Sequence, residues 1–253
     1  MESLLSPSRT LGVIGAGVMG QTLLKGLLES SLLTSRQAWA AAKSQTSCDE
    51  VASLLKIRTT RDYSTLLPDT QILLLCVKPN QAPLVTKILT DCHLPADTLI
   101  ISVLAGISTE RLETLLATPH ACLRAMPNTP CVVGEGITVF CGGRHVTQAH
   151  LQIAERIFSS VGKALQVEEH YFNAITALSG SGPAYMYLVI ESLADAGVRV
   201  GLPRDLALDL VTQTMLGSAK MVQKSGRHPA ALRDDDTEWD FASKLKTHRS
   251  KLL

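Results

Sequence analysis

The chain lacks an excess of charge of either sign: 24 Lys and Arg stand against 23 Asp and Glu, a formal net charge of +1. Such a balance leaves no electrostatic footprint for nucleic acid or an anionic membrane surface, so the expected partner is a small molecule or another protein. It also lacks an apolar run long enough to span a bilayer. Met1 to Thr10 carries Glu2 and Pro7 where a secretory signal would have its apolar centre, and a cytoplasmic protein is expected. The six cysteines (Cys48, Cys76, Cys92, Cys122, Cys131 and Cys141) form no C-x-x-C pair and have no histidine at ligand spacing, while the seven histidines are scattered. No metal site is therefore expected, and the cysteines read as free thiols, most of them buried or partly buried. At 253 residues the chain can form one large domain or two smaller ones.

What the sequence does have is a short apolar run at Leu11 that breaks into three glycines, Gly15, Gly17 and Gly20, spaced G-x-G-x-x-G. In a dinucleotide-binding turn the first glycine lets the chain leave the strand sharply, the second lets backbone approach a pyrophosphate, and the third lets the next helix lie close to the sheet. Glycine is common in any strand-to-helix turn, so context decides. Here the strand precedes the glycines, and Gln21 to Ser30 continues as a helix with Leu23, Leu24, Leu27 and Leu28 on one side. Ile14, Gly15, Ala16, Gly17, Val18, Met19 and Gly20 are accordingly candidate cofactor residues, with the phosphates facing the helix N-terminus.

Further strands are expected at Gln37 to Ala42, after a helix at Asp49 to Lys56, at Gln71 to Val77, at Thr98 to Val103 and at Ala121 to Ala125. Another lies between Gly136 and Cys141, and the sheet closes near Ala164 to Val167. The continuous apolar run of Gln71 to Val77 fits a parallel sheet covered on both faces. An NAD site places an acid at the end of the second strand to hold the ribose 2′-hydroxyl. This chain has Lys43 and Ser44 there, which suit a 2′-phosphate, so NADP(H) is favoured and NAD(H) stays open. Val77, Lys78 and Pro79 end a strand at the ligand-binding edge, and Ala105 lies among small residues that would let a nicotinamide approach. Asn128, between two prolines, sits in a stiff loop at the same edge.

From Glu168 the pattern becomes helical, at Tyr171 to Leu178, Pro183 to Val198 and Arg204 to Lys224. Between the first two, Ser179-Gly180-Ser181-Gly182-Pro183 reads as a turn into a helix with backbone N–H groups and hydroxyls free for an anion, so Ser179, Gly180, Ser181 and Gly182 join Asn128 as candidate substrate residues. Leu206, Leu210 and Met221 share a helix stripe with Thr214 and Gly217, which is either ordinary core or a dimer face. The fold expected is an α/β Rossmann-type domain over 1–167, an all-α domain over 168–235 and a tail over 236–253.

Taken in order, Ile14-Gly-Ala-Gly-Val-Met-Gly20, Val77-Lys-Pro79, Met126-Pro-Asn-Thr-Pro130, Leu178-Ser-Gly-Ser-Gly-Pro-Ala-Tyr185, Gly201-Leu-Pro203 and His228-Pro229 with Leu232-Arg-Asp234 resemble pyrroline-5-carboxylate reductase. The resemblance implies a Rossmann domain followed by a helical dimerisation domain, NAD(P)H as cofactor and a small imine substrate held between nicotinamide and helices. No catalytic residue is assigned. After Asp235 the sequence departs from the family, whose members continue with a loop close to Ser-Pro-Gly-Gly-Thr-Thr that supplies amides for the substrate carboxylate. Two readings follow: a working reductase of proline biosynthesis, or an NADPH-binding variant with impaired catalysis and self-association. A β-hydroxyacid dehydrogenase would need a lysine early in the second domain, and none lies between Lys163 and Lys220. In the tail, Thr237 and Asp240 suggest a capping box opening a short helix from Glu238 to His248.

Overall fold

The computed structural model describes residues 4–116 and 118–236, which fall into two compact units, one ending at Pro183 and one beginning at Ala184. In chain order the first contains β1 (Thr10–Ile14), α1 (Val18–Glu29), β2 (Ala38–Ala41), α2 (Gln45–Leu55), β3 (Arg58–Thr60), β4 (Thr70–Leu75) and α3 (Ala82–Asp91). It continues with β5 (Leu99–Ser102), α4 (Thr109–Leu115), β6 (Cys122–Met126), β7 (Gly136–Gly142), α5 (Gln148–Ser159), β8 (Gly162–Gln166) and the short α6 (Phe172–Ile175). The strands form one sheet in the order β3-β2-β1-β4-β5-β6-β7-β8. Only β7 against β6 is antiparallel; the other pairs are parallel.

Alternate strand residues feed two cores, one on each face, which is why the strands read as unbroken apolar runs. Leu11, Val13, Ile72 and Leu74 pack with Leu23, Leu24 and Leu27 of α1 and Ile157 and Phe158 of α5. On the other face Ile14, Leu73, Leu75 and Ile100 meet Val85 and Leu89 of α3 and Leu112 of α4. Between β1 and β2 the register sets Gly12 beside Trp39, and a Cβ at Gly12 would lie 2.1 Å from the indole. The indole Nε1–H donates to the Thr70 hydroxyl at 3.3 Å, and its ring stacks on Tyr63 with centroids 6.2 Å apart.

Two expected helices have different limits. α2 begins at Gln45 rather than Asp49, because the Ser44 hydroxyl accepts the Ser47 N–H at 3.2 Å and starts the helix early. The segment read as a helix from Tyr171 to Leu178 is a 3-10 turn at Glu169–Tyr171, then α6, then a π turn at Thr176–Gly180. In that wide turn the Ser181 N–H donates back to the Thr176 carbonyl at 2.8 Å. The sheet ends at Gln166, while the first unit runs on to Pro183.

The helix α7 (Gly182–Arg199) leads into the second unit, where α8 (Arg204–Ser225) and helical residues 229–236 follow. Gly201, at φ +105°, makes the turn between α7 and α8. The two helices approach closely where a Cβ at Gly197 would sit 3.1 Å from Ala207 Cβ, and Ala194 and Ala207 are buried. The stripe of Leu206, Leu210 and Met221 is exposed, at 47%, 50% and 57%. Among the described residues of this unit nothing covers it, so it is not part of that unit's core. The capping box at Thr237 and the helix expected to Glu238–His248 lie outside the described residues. Among the described residues no helix is long and apolar enough to cross a membrane, and no group of histidines, cysteines and carboxylates is arranged to hold a metal.

Candidate functional site

The three glycines of the first turn have three different surroundings. Gly15 has φ +103°, and its N–H and that of Ala16 both donate to the Ala41 carbonyl, at 3.0 and 3.1 Å. A Cβ there would lie 2.6 Å from the Cys76 carbonyl, so only glycine fits between the ends of β2 and β4. Gly17 opens onto empty space, with nothing within 4 Å of a Cβ. Gly20 packs under the turn, a Cβ coming within 2.4 Å of the Gly15 carbonyl oxygen. The N-terminus of α1 has no side-chain cap and no acidic residue in its first turn, so its N–H groups remain available to an anion.

Around this turn lies a cleft of about 440 Å³ along the carboxyl ends of β1 to β4. The chain runs outward in both directions from β1 here, which is where open α/β sheets bind ligands. Of the expected cofactor residues, the cleft brings together Ile14, Gly15, Ala16, Gly17, Lys43, Val77 and Lys78. It leaves out Val18, which lines a second cavity of about 500 Å³ with Val132 and Val133. Met19 packs partly against the core, and Gly20 is buried. Pro79 opens an exposed 3-10 turn and Ala105 sits exposed before Gly106, both outside the cleft lining.

The structure adds residues that sequence reading passes over. Arg61 follows β3 as Lys43 follows β2, and both line the cleft with Ser47 of α2. Part of the signal was local, since a residue just past a parallel strand's carboxyl end can reach the ligand edge, but that β3 lies beside β2 comes only from the fold. Tyr63 closes one wall, with its phenol pushed up to about 12 by burial first and by Cys92 and Asp62 next. Burial likewise pushes the Cys76 thiol to about 12. Both therefore stay neutral near pH 7, and the charged residues of the lining are Lys43, Arg61 and Lys78, all cations.

The expected substrate residues form a second group in the same unit. Asn128 is 9% exposed, and both ends of its amide are engaged. Its Nδ2 donates to the Ser179 carbonyl at 3.2 Å, and its Oδ1 accepts the Ile137 N–H at 2.9 Å. The Ser179 hydroxyl donates to the Ile175 carbonyl at 3.1 Å. Gly180 packs on Met126, whose Cε would lie 2.9 Å from a Cβ, and Gly182 has open space where a Cβ would go. Ser181 is exposed.

In the same unit a carboxylate gathers three segments. Glu169 Oε1 accepts the Thr109 N–H at 2.8 Å and Arg124 Nη1 at 3.0 Å, while Oε2 accepts the Thr109 hydroxyl at 2.6 Å. The Arg124 guanidinium also lies 4.4 Å from the centre of the Phe172 ring. Burial alone would raise the Glu169 carboxyl, but the Thr109 and Arg124 hydrogen bonds and the Arg124 charge together hold it below its ordinary 4.5.

A family model described as pyrroline-5-carboxylate reductase dimerisation matches residues 169–238, and one described as NADP oxidoreductase, coenzyme F420-dependent, matches residues 10–106. Pyrroline-5-carboxylate reductases of Pisum sativum and Arabidopsis thaliana are 40% and 37% identical over 242 and 241 residues, which is 92% and 94% of this chain and 85% and 86% of theirs. The solved pyrroline-5-carboxylate reductase of Coxiella burnetii, 29% identical, superposes with a TM-score of 0.85 over 97% of this chain and 93% of its own. That of Plasmodium falciparum, solved with NADP bound, is 32% identical with a TM-score of 0.78, over 90% of this chain and 83% of its own. These similarities extend through both units and lend the impaired alternative no support. By its sequence motifs, its sheet and its helical unit, the chain belongs to the pyrroline-5-carboxylate reductase family.

Proposed function

We propose that this chain reduces the carbon–nitrogen double bond of 1-pyrroline-5-carboxylate to give proline, with NADPH preferred over NADH. The observation that carries the cofactor half is a glycine turn open at Gly17 beside a cleft whose charged lining is wholly cationic. Bound NADPH supplies a hydride to the imine carbon, while the ring nitrogen ends with a proton from solvent or a nearby hydroxyl. Gly15 and Gly17 shape the backbone against the pyrophosphate, and the first-turn N–H groups of α1 face its charge. Lys43, Arg61 and Ser47 take the 2′-phosphate, helped by the start of α2, whose first turn carries no acid.

On the substrate side, Ser179 to Gly182 provide the turn against which the imine and its carboxylate lie. Asn128 serves by holding that turn, since its amide is already committed to Ser179 and Ile137. The chain self-associates through its helical unit, where α7 and α8 expose Leu188, Leu193, Leu206 and Leu210. A cytoplasmic setting is part of the same proposal, supported by six cysteines that are all free. Steady-state assay of the full chain with pyrroline-5-carboxylate, following nicotinamide absorbance with NADPH and then NADH, tests it. Turnover with a higher kcat/KM for NADPH is expected, and no imine-dependent oxidation of either nucleotide would overturn it.

A further inference from the structure

The Glu169 carboxylate ties its own stretch of chain to two others, and each of the three leads into a different part of the candidate site. Thr109 opens α4, separated by Ile107 and Ser108 from the Leu104-Ala105-Gly106 turn on the expected nicotinamide side. Arg124 lies on β6, which runs into Met126 and Asn128. Glu169 itself starts the segment that ends in the Ser179–Gly182 turn. These partners are distant in sequence, 60 residues from Thr109 and 45 from Arg124, so their meeting at one group is a product of the tertiary fold.

The geometry is tight for a carboxylate that lies outside the cofactor cleft and is 30% exposed. The three hydrogen bonds run from 2.6 to 3.0 Å, and both carboxylate oxygens are used. The N–H of the first residue of α4 is one that no helical carbonyl can satisfy, and the carboxylate caps it with the favourable sign of charge. The Arg124 side chain is only 10% exposed, and its guanidinium is fixed from the other direction by the Phe172 ring. A charge-assisted network of this kind resists small sliding of its members, because moving any one loosens bonds on the shared carboxylate.

Resting on the proposed reduction, we infer that Glu169 is a positioning residue: it holds the turn before α4, the Asn128 loop and the Ser179 turn at the spacing hydride transfer requires. Hydride transfer needs reacting atoms about 3–3.5 Å apart, and a misplacement of about 1 Å costs roughly a hundredfold in rate. Neither this carboxylate nor its partners line the cleft along β1 to β4, so NADPH affinity is expected to change little on its loss.

The test compares Glu169→Gln, Thr109→Val and Thr109→Ser in the full chain, with NADPH and with NADPH deuterated at the transferred position. Thr109→Val removes one bond without altering charge, and decides the matter if Glu169→Gln does not fold. A fall in kcat of about ten- to a hundredfold, a raised deuterium isotope effect, an NADPH Kd within about twofold of wild type, and rescue in Thr109→Ser are expected. A purely structural role would lower activity only in proportion to the folded fraction, with isotope effect unchanged, and that result overturns the inference. A wild-type chain that turns over while both bond-breaking variants keep its isotope effect and kcat overturns the inference alone. A wild type that reduces no pyrroline imine overturns the proposed function and this inference with it.

Discussion

The Asn128 side chain donates to the Ser179 carbonyl at 3.2 Å, joining a proline-flanked loop to the serine–glycine turn across 51 residues of chain. Because Oδ1 also accepts the Ile137 N–H, Asn128→Ala strips partners from two backbone groups at once. Leaving a buried N–H unsatisfied costs about 1–3 kcal/mol. Thermal unfolding of Asn128→Ala should show a lower Tm, with a fall in kcat/KM beyond what the loss of folded protein explains. Asn128→Asp keeps the acceptor for Ile137 but turns a carboxylate oxygen toward the Ser179 carbonyl, so it should not restore activity. If Asn128→Asp proves as active as wild type, the bond to Ser179 has no part in turnover.

Gly15 and Gly17 should respond oppositely to substitution. Gly15→Ala adds a Cβ 2.6 Å from the Cys76 carbonyl at φ +103°, so it should unfold at lower temperature whether or not nucleotide is present. The Cβ of Gly17→Val meets nothing within 4 Å, so this variant should fold with a Tm close to wild type yet lose NADPH binding in a fluorescence titration. Tight NADPH binding by a well-folded Gly17→Val would move the pyrophosphate elsewhere.

Charge removal in the cleft should separate the two nicotinamide cofactors. Lys43→Ala and Arg61→Ala each delete a cation that the lining places near the proposed 2′-phosphate. Each is expected to weaken NADPH by about five- to tenfold, on the scale of 1–1.4 kcal/mol for one exposed charge-assisted interaction, and to leave NADH unchanged. Isothermal titration with both nucleotides checks this, and equal weakening of the two would show that neither residue reads the phosphate.

Glu169 should leave a mark on acid stability. Its carboxyl is held below the ordinary 4.5, so the folded chain binds this proton less readily than the unfolded one. The stabilisation is complete above 4.5 and is lost as pH falls below that value and through the lower folded value. The gap in Tm between wild type and Glu169→Gln should therefore be widest near neutrality and shrink in that acid window. A gap that stays constant down to acid pH would mean that the charge of Glu169 contributes nothing to the network.

How far the sequence carries depends on whether the relevant physics is local. Strands such as Thr70–Leu75 are legible because burial on both faces writes itself as an apolar run, and the glycine turn is legible because its geometry tolerates no other residue. Helices α3, α4 and α5 are not assigned by that reading. In α3 the prolines at 79 and 83 resemble breaks, although proline suits the first turn of a helix. In α5 the capping box pairs Thr147 with His150 where Glu or Gln would advertise it. In the site, Lys43 is visible from its strand end, whereas Arg61 matters only once β3 is known to lie beside β2. The meeting of Thr109, Arg124 and Glu169 has no local signature, for it depends on the three segments being folded together.

Gly12 and Trp39 share one volume of space, the indole filling the place a Cβ at Gly12 would need. Heredity must therefore treat the two positions as a single trait. Any lineage that gains a side chain at position 12 while keeping Trp39 inherits a collision in the middle of its sheet. One that first shrinks the residue at position 39 opens the way for Gly12→Ala, at the expense of the indole's bond to Thr70 and its stack on Tyr63 at the cleft wall. The order of mutation is thereby constrained, and Gly12→Ala should be viable only on a background already altered at position 39.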